Sequence, residues 1–290
     1  MQTRKKGFTL IELLVVIAII ALLLSVLVPS LNKVKIQAQK VTCRSNIRQL
    51  CTGILLYAEQ NGGEAPVTTV WNGYKSSWFW DVSYWMTDQI MSYGGMTREV
   101  FFCASNKGKN PNDGRWWQFS QAGNAPHELS IKDESTMSDQ QKKTEYRVLP
   151  LIFLIDRVEM NPGNTDPARG FGKSVRLPLS NNPNFRWIRK LTEIRNAGTR
   201  EMVMDAVIAG NGTGGVRFDE INGGAVGQFG LTDSSCHLRR QSFPAGNQFV
   251  GRMPDGGNIG FVDGHVEWRD YDDMAVRING RTVNMTDFYW

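Results

Sequence analysis

From Phe8 to Val28 the chain runs FTLIELLVVIAIIALLLSVLV, 21 residues with a single charged side chain, Glu12. As a helix this stretch is about 31 Å long, which matches the roughly 30 Å hydrocarbon core of a bilayer. Arg4, Lys5 and Lys6 stand just ahead of it. Positive charge on that flank holds the N-terminal end in the cytoplasm and sends the following mass to the other side. A cleaved secretory signal needs small residues after its apolar run, and this run ends Ser25-Val26-Leu27-Val28-Pro29. A plain anchor gives no reason for Glu12, because a carboxylate within the membrane costs about 2.5–3.5 kcal/mol on insertion scales and marks function by default.

Lys5-Lys6-Gly7-Phe8-Thr9-Leu10-Ile11-Glu12-Leu13 resembles the processing motif of type IV prepilins and type II secretion pseudopilins. The resemblance implies cleavage by a prepilin peptidase between Gly7 and Phe8, with N-methylation of Phe8. It implies that Glu12 pairs with the N-terminal amine of a neighbouring subunit during assembly, which makes its burial tolerable. Pro29 falls where such proteins often carry a helix-kinking proline. The partners implied are the peptidase, the inner membrane and other pilin or pseudopilin subunits.

The expected organisation is a leader at 1–7, a transmembrane and assembly helix at 8–28, an amphipathic continuation at 29–60 and a globular head at 61–290. In the continuation, Leu31, Val34, Ala38, Val41, Ile47, Leu50, Ile54 and Leu55 recur mostly three or four apart, the spacing of one helix face. Gly62-Gly63 ends it. The fold expected is α+β: a pilin-like long N-terminal helix packed on an antiparallel sheet, with an enlarged head in the periplasm or at the cell surface.

Within the head, 148–155 (VLPLIFLI) reads as a buried strand or short helix, 161–184 as loop and 186–196 as helix. Segment 104–114 reads as a surface loop, and the polar segment 130–145 as an exposed helix or loop. Met202-Val203-Met204-Asp205 reads as a central strand. Asn-Gly and Asp-Gly pairs between alternating residues signal tight hairpins. They predict 216–218 with 225–229, 258–262 with 265–268, and 276–278 with 282–283.

Cys43-Arg44-Ser45-Asn46-Ile47-Arg48-Gln49-Leu50, Phe102-Cys103 and Gly257-Asn258-Ile259-Gly260-Phe261-Val262-Asp263-Gly264-His265-Val266 are similar to a large group of pseudopilin-like proteins abundant in planctomycete- and lentisphaera-type bacteria. Its C-terminal signature is a His, nine residues, then Asp-Gly. Asp263-Gly264 is in place, but Met253 stands at the His position. Major pseudopilins of this class bind calcium near the C-terminus, and Asp270, Asp272 and Asp273 cluster here. Closely spaced oxygen ligands suit Ca2+, although a short acidic run is usually a solvated loop. Calcium is the one cofactor the sequence leaves open.

Cys43, Cys51, Cys103 and Cys236 form no Cys-x-x-Cys pair, and Cys236-His237 matches no zinc spacing. An exported chain permits disulfides. Among the three pairings, Cys43–Cys103 is preferred because it staples the end of the long helix to the head; buried free thiols are the alternative.

The formal charge of +5 includes Arg4, Lys5 and Lys6. No basic block follows them, so nucleic-acid binding is not expected. No Gly-x-Ser-x-Gly, His-Glu-x-x-His or phosphate-binding glycine loop is present, so no enzyme is expected. Function is therefore read as a structural subunit of a secretion pseudopilus or type IV pilus-like filament. The rival is a membrane-anchored or filament-tip adhesin whose tryptophans (Trp71, Trp78, Trp80, Trp85, Trp116 and Trp117 within 62–130) contact a glycan.

Overall fold

The structure is a computed structural model. It describes residues 9–71, 81–106, 117, 134–144, 146–155, 157–160, 171–174, 187–212, 215–222, 230–232, 235–243, 251–278 and 287–290. Helix α1, Leu10–Gln60, runs 51 residues with Pro29 inside it. Thr9 is its N-cap. The Thr9 hydroxyl accepts from Glu12 N at 3.3 Å and the Thr9 N–H donates to Glu12 Oε2 at 2.8 Å, a reciprocal capping box. Gly62 (φ 64°) and Gly63 (φ 84°) turn the chain back at the other end, and Gly63 N–H donates to Ala58 O at 2.8 Å. Among the described residues α1 is the one helix long and apolar enough to cross a membrane, and its apolar span is not buried in the head.

The head is built on a four-stranded antiparallel sheet, in the order Val266–Asp270, Gly256–Phe261, Glu201–Asp205, Leu151–Phe153. The last five turns of α1 lie on it, burying Cys43, Ile47, Leu50, Cys51, Ile54, Tyr57 and Ala58. Gly260 explains how closely they approach: a Cβ there would stand 2.5 Å from Cys51 Sγ and 2.7 Å from Ile47 Cγ2. Helix α2, Tyr84–Gly94, covers another side of α1, capped by Ser83 and ended by left-handed Gly95. Beside α2 the fully buried Arg147 lies between the Tyr84 and Trp117 rings. It ion-pairs Asp88 at 2.9 Å and Glu134 at 2.7 Å and also bonds Thr87 Oγ1 and Trp117 O. A second four-stranded sheet has the order Val276–Ile278, Asp287–Tyr289, Ile208–Gly212, Gly215–Arg217.

The α+β, pilin-like architecture agrees with the sequence, and the structure corrects several details. The packed face of α1 starts at Cys43 rather than Leu31. Leu31, Val34 and Val41 remain 68%, 63% and 66% exposed, because the sheet reaches only the C-terminal end of the helix. The 258–262/265–268 hairpin forms, and Glu201–Asp205 is an inner strand. Gly215–Arg217 pairs with Ile208–Gly212, Glu220–Asn222 with Gly230–Thr232, and Val276–Ile278 with Asp287–Tyr289; the partners expected for 216–218 and 276–278, residues 225–229 and 282–283, lie outside the described residues. Segment 186–196, expected as helix, carries two bridges and one 3-10 turn, Leu191–Glu193. Its backbone bridges two different neighbours: Ile188 pairs in parallel with Ile155, and Lys190 pairs antiparallel with Glu64. Within the 161–184 loop a strand, Phe171–Ser174, pairs with Arg157–Met160. The 148–155 run resolves to the strand Leu151–Phe153. Within 130–145 lie a 3-10 turn, Glu134–Thr136, and a short helix, Asp139–Thr144; most of 104–114 lies outside the described residues.

Candidate functional site

Two regions carry the residues that the sequence singled out. The first is the free half of α1. Gly7 and Phe8 lie outside the described residues. Glu12 sits in the first turn, where its carboxylate accepts from both the Thr9 N–H and the Thr9 hydroxyl, each at 2.8 Å. An anion in that position also meets the positive end of the helix dipole. Beyond it, Leu10 to Val28 present an almost unbroken series of exposed Leu, Ile and Val side chains. A water-facing stripe of this size is a surface waiting for lipid or protein.

The second region is the junction where α1 enters the head. Cys43, the first buried residue of α1, brings its sulfur to 2.7 Å from that of Cys103, which follows the 3-10 turn Arg98–Phe101. Ala104 N–H donates to Cys43 Sγ at 3.1 Å, and Ser105 Oγ lies 3.0 Å from Cys103 Sγ. His237 Nε2 approaches Cys103 Sγ at 3.5 Å and Asp205 Oδ2 at 3.0 Å. Asp205, the last residue of an inner strand, is held by Asn258, whose N–H and Nδ2 donate to Oδ2 at 2.9 and 2.8 Å. Its other oxygen, Oδ1, is buried and, among the described residues, unpartnered. His237 has φ 50°, the left-handed region, where a residue other than glycine is uncommon. That backbone is fixed by its N–H donating to Ser105 Oγ at 2.8 Å, and Trp268 packs edge-on against the ring.

All four side chains are buried. Burial alone favours neutral imidazole, but the Asp205 carboxylate outweighs it and lifts His237 to about 9. Burial likewise works against the Asp205 carboxylate, and His237 and Asn258 hold it below the ordinary range. The hydrogen bond to Cys103, then burial, push the Cys43 thiol far up; for Cys103 burial leads, followed by Cys236. Cys51 lies apart from this cluster, and burial pushes its thiol up to about 12. The donor atoms of Cys43, Cys103, Asp205 and His237 all lie within 4.8 Å of one another, so these are the residues that can hold a metal. The sequence singled out Cys43 and Cys103 as a pair. It gave no sign of Asp205, and His237 stood only beside Cys236, whose thiol donates to Pro150 O at 3.1 Å and packs in the same buried cluster as Cys43 and Cys103.

The segment from Gly257 to Val266 supports this junction. Asn258 orients Asp205, and Gly260 admits α1. Asp263 Oδ1 accepts from His265 N and lies 2.6 Å from His265 Nδ1, while Gly264 takes φ 87° in the turn. His265 stacks on Phe261 with ring centroids 4.2 Å apart. Met253, which the sequence comparison set against a His of the similar group, is buried in a smaller core with Phe218 and Tyr289, a cluster separate from that of the thiols. Asp270 accepts from the Trp268 indole at 2.7 Å, and Asp272 and Asp273 follow in a 3-10 turn. Of the tryptophans between 62 and 130, Trp117 is buried against Phe101 and Phe102, and Trp85 packs on Tyr57; the side chains of the other four lie outside the described residues.

Residues 2–28 match the family model described as the prokaryotic N-terminal methylation motif. A ComG operon protein 3 homolog from Bacillus licheniformis is 37% identical over 62 residues, 21% of this chain and 64% of that protein. The match thus spans somewhat less than two thirds of that relative and leaves most of the head uncompared. No solved structure matches the chain.

Proposed function

On the premise that this N-terminus is that of a type IV prepilin-like protein, we propose that the chain is a non-enzymatic structural subunit of a secretion pseudopilus or type IV pilus-like filament. In this reading a prepilin peptidase cuts between Gly7 and Phe8. The mature chain waits in the inner membrane as a single-pass protein with its head outside the cytoplasm, then leaves the bilayer to join other subunits. The observation that carries the reading is the division of α1. Its last turns are packed into the head, whereas Leu10 to Val41 hold out an apolar surface that the head leaves uncovered. Burying one such Leu, Ile or Val contributes about 1.5–3 kcal/mol, so a helix-to-helix filament core accounts for the whole stripe.

Glu12 fits the same picture. Cleavage after Gly7 places a new amine four residues ahead of a carboxylate already fixed at the helix start. In a filament an N-terminal amine from a neighbour neutralises that carboxylate and sets the axial register. A charge removed from water is tolerated when so paired.

The test is the intact mass and N-terminal residue of the membrane-extracted protein, from cells with and without prepilin peptidase. A methylated Phe8 that depends on the peptidase supports the reading. An uncut Met1, or a cut elsewhere, reduces α1 to an anchor and removes the basis for a filament role.

A further inference from the structure

We propose that Cys43, Cys103, His237 and Asp205 form a tetrahedral site for a thiophilic divalent ion of the zinc type, which pins the base of α1 to the head. The four residues come from four separate segments: a helix, the loop after a 3-10 turn, a strand end and a bend with a left-handed residue. Two sulfurs, one imidazole nitrogen and one carboxylate make a donor set suited to zinc.

The surroundings serve the ligands. Structural zinc is four-coordinate, with bonds of about 2.3 Å to sulfur and about 2.0–2.2 Å to nitrogen and oxygen. The separations of 3.0 Å (His237 to Asp205) and 3.5 Å (Cys103 to His237) approach the edges of such a tetrahedron. The sulfurs, at 2.7 Å, move apart by about 1 Å to complete it. Ala104 N–H and the Ser105 hydroxyl are placed to donate to the two sulfurs, and Asn258 donates twice to the carboxylate. Outer donors of this kind orient ligands and offset thiolate charge. Metal entry displaces the two thiol protons and the imidazolium proton to solvent, leaving two thiolates, neutral His237 and ionised Asp205 around the ion.

A disulfide between Cys43 and Cys103 is the competing end state. It accounts for two of the four residues and leaves the His237–Asp205 pair buried beside it, with Oδ1 unpartnered among the described residues. A metal ion employs all four.

The experiment uses the full chain extracted from membranes in detergent without reductant. Metal content is measured by mass spectrometry, and thiols are alkylated after denaturation with a chelator. One zinc per chain and four alkylated cysteines are expected. Replacing zinc with Co2+ produces the thiolate-to-cobalt charge-transfer band and the red d–d bands of tetrahedral cobalt. His237→Ala and Asp205→Asn each weaken Co2+ binding about 100-fold, by analogy with the losses when metal-site support is removed. The wild-type measurements stand even if a variant misfolds. A peptide in which Cys43 and Cys103 are joined, with only two alkylated thiols, overturns the proposal. So does a chain with four free thiols that takes up neither zinc nor cobalt.

Discussion

The two halves of α1 are one continuous helix with opposite surroundings. From Leu10 to Val41 nearly every large apolar side chain is exposed; from Cys43 to Ala58 one face is sealed by the sheet and α2. Helix propensity does not separate them. The difference is what lies alongside, and it teaches that a run of apolar residues states a demand for burial without saying who meets it. The head meets it for the second half, and the first half is left for a membrane or a second subunit.

The comparison is most sharply broken by Glu12→Ala. On the proposed pairing with a neighbour's amine, losing one partner of the buried ion pair costs about 3–5 kcal/mol, so filament yield in sheared fractions is expected to fall below about a tenth. The melting temperature of the extracted head should not move. A matching loss of head stability would show that Glu12 belongs to the fold rather than to assembly.

Ile54→Ala in the sealed half should do the reverse. A fully buried isoleucine in this core costs about 2–5 kcal/mol on truncation, read as a lower denaturation midpoint at unchanged peptidase processing. Gly260→Ala tests the close approach directly. Its Cβ meets Cys51 and Ile47 well inside contact distance, and overpacking of this kind costs about 1–3 kcal/mol. Retained stability would mean that α1 can lift from the sheet freely.

A smaller, pH-dependent effect belongs to the buried Arg147. Burial favours protonated Glu134, but the Arg147 ion pair outweighs it and holds the Glu134 carboxyl below its usual range. A carboxyl depressed in the folded state contributes stability that is fully present above its unfolded value, near about 4.3, and is lost as pH falls through the folded value. Thermal unfolding from neutral to acid pH should therefore show Glu134→Gln less stable than the parent at pH 7, with the gap closing in acid. A gap that persists unchanged below pH ~3 would assign the loss to something other than this charge. Least of all, Leu22→Ala on the exposed half, where the side chain is 68% exposed, should shift head stability by no more than about 0.5 kcal/mol.

Much of this was legible in the chain. The 21-residue apolar run, Glu12 inside it and the basic flank dictate a membrane-length helix carrying one charge, because length and charge are local properties. The Asp263-Gly264 hairpin and the Met202–Asp205 strand were equally local, written in a turn pair and in an unbroken apolar run. Segment 186–196 misled because its apolar spacing suits a helix while its backbone is held singly by isolated bridges to Ile155 and Glu64. Leu31, Val34 and Val41 misled because periodicity shows a face and not the length of the sheet opposite it.

The junction cluster shows where sequence reasoning stops. Cys43 and Cys103 stand 60 residues apart, and His237 lies 134 residues beyond Cys103, so no spacing rule for metal ligands applies. Asp205 looked like the polar end of a buried strand, and Asn258 like part of a glycine-rich signature. By itself the sequence determined the spine, its charge and the class of head that could follow, since these rest on contacts between near neighbours. Only the tertiary structure decided which half of the spine is covered and which four side chains share one buried space. Those outcomes depend on strand order and on the lack of a Cβ at Gly260, which lets the helix descend onto the sheet.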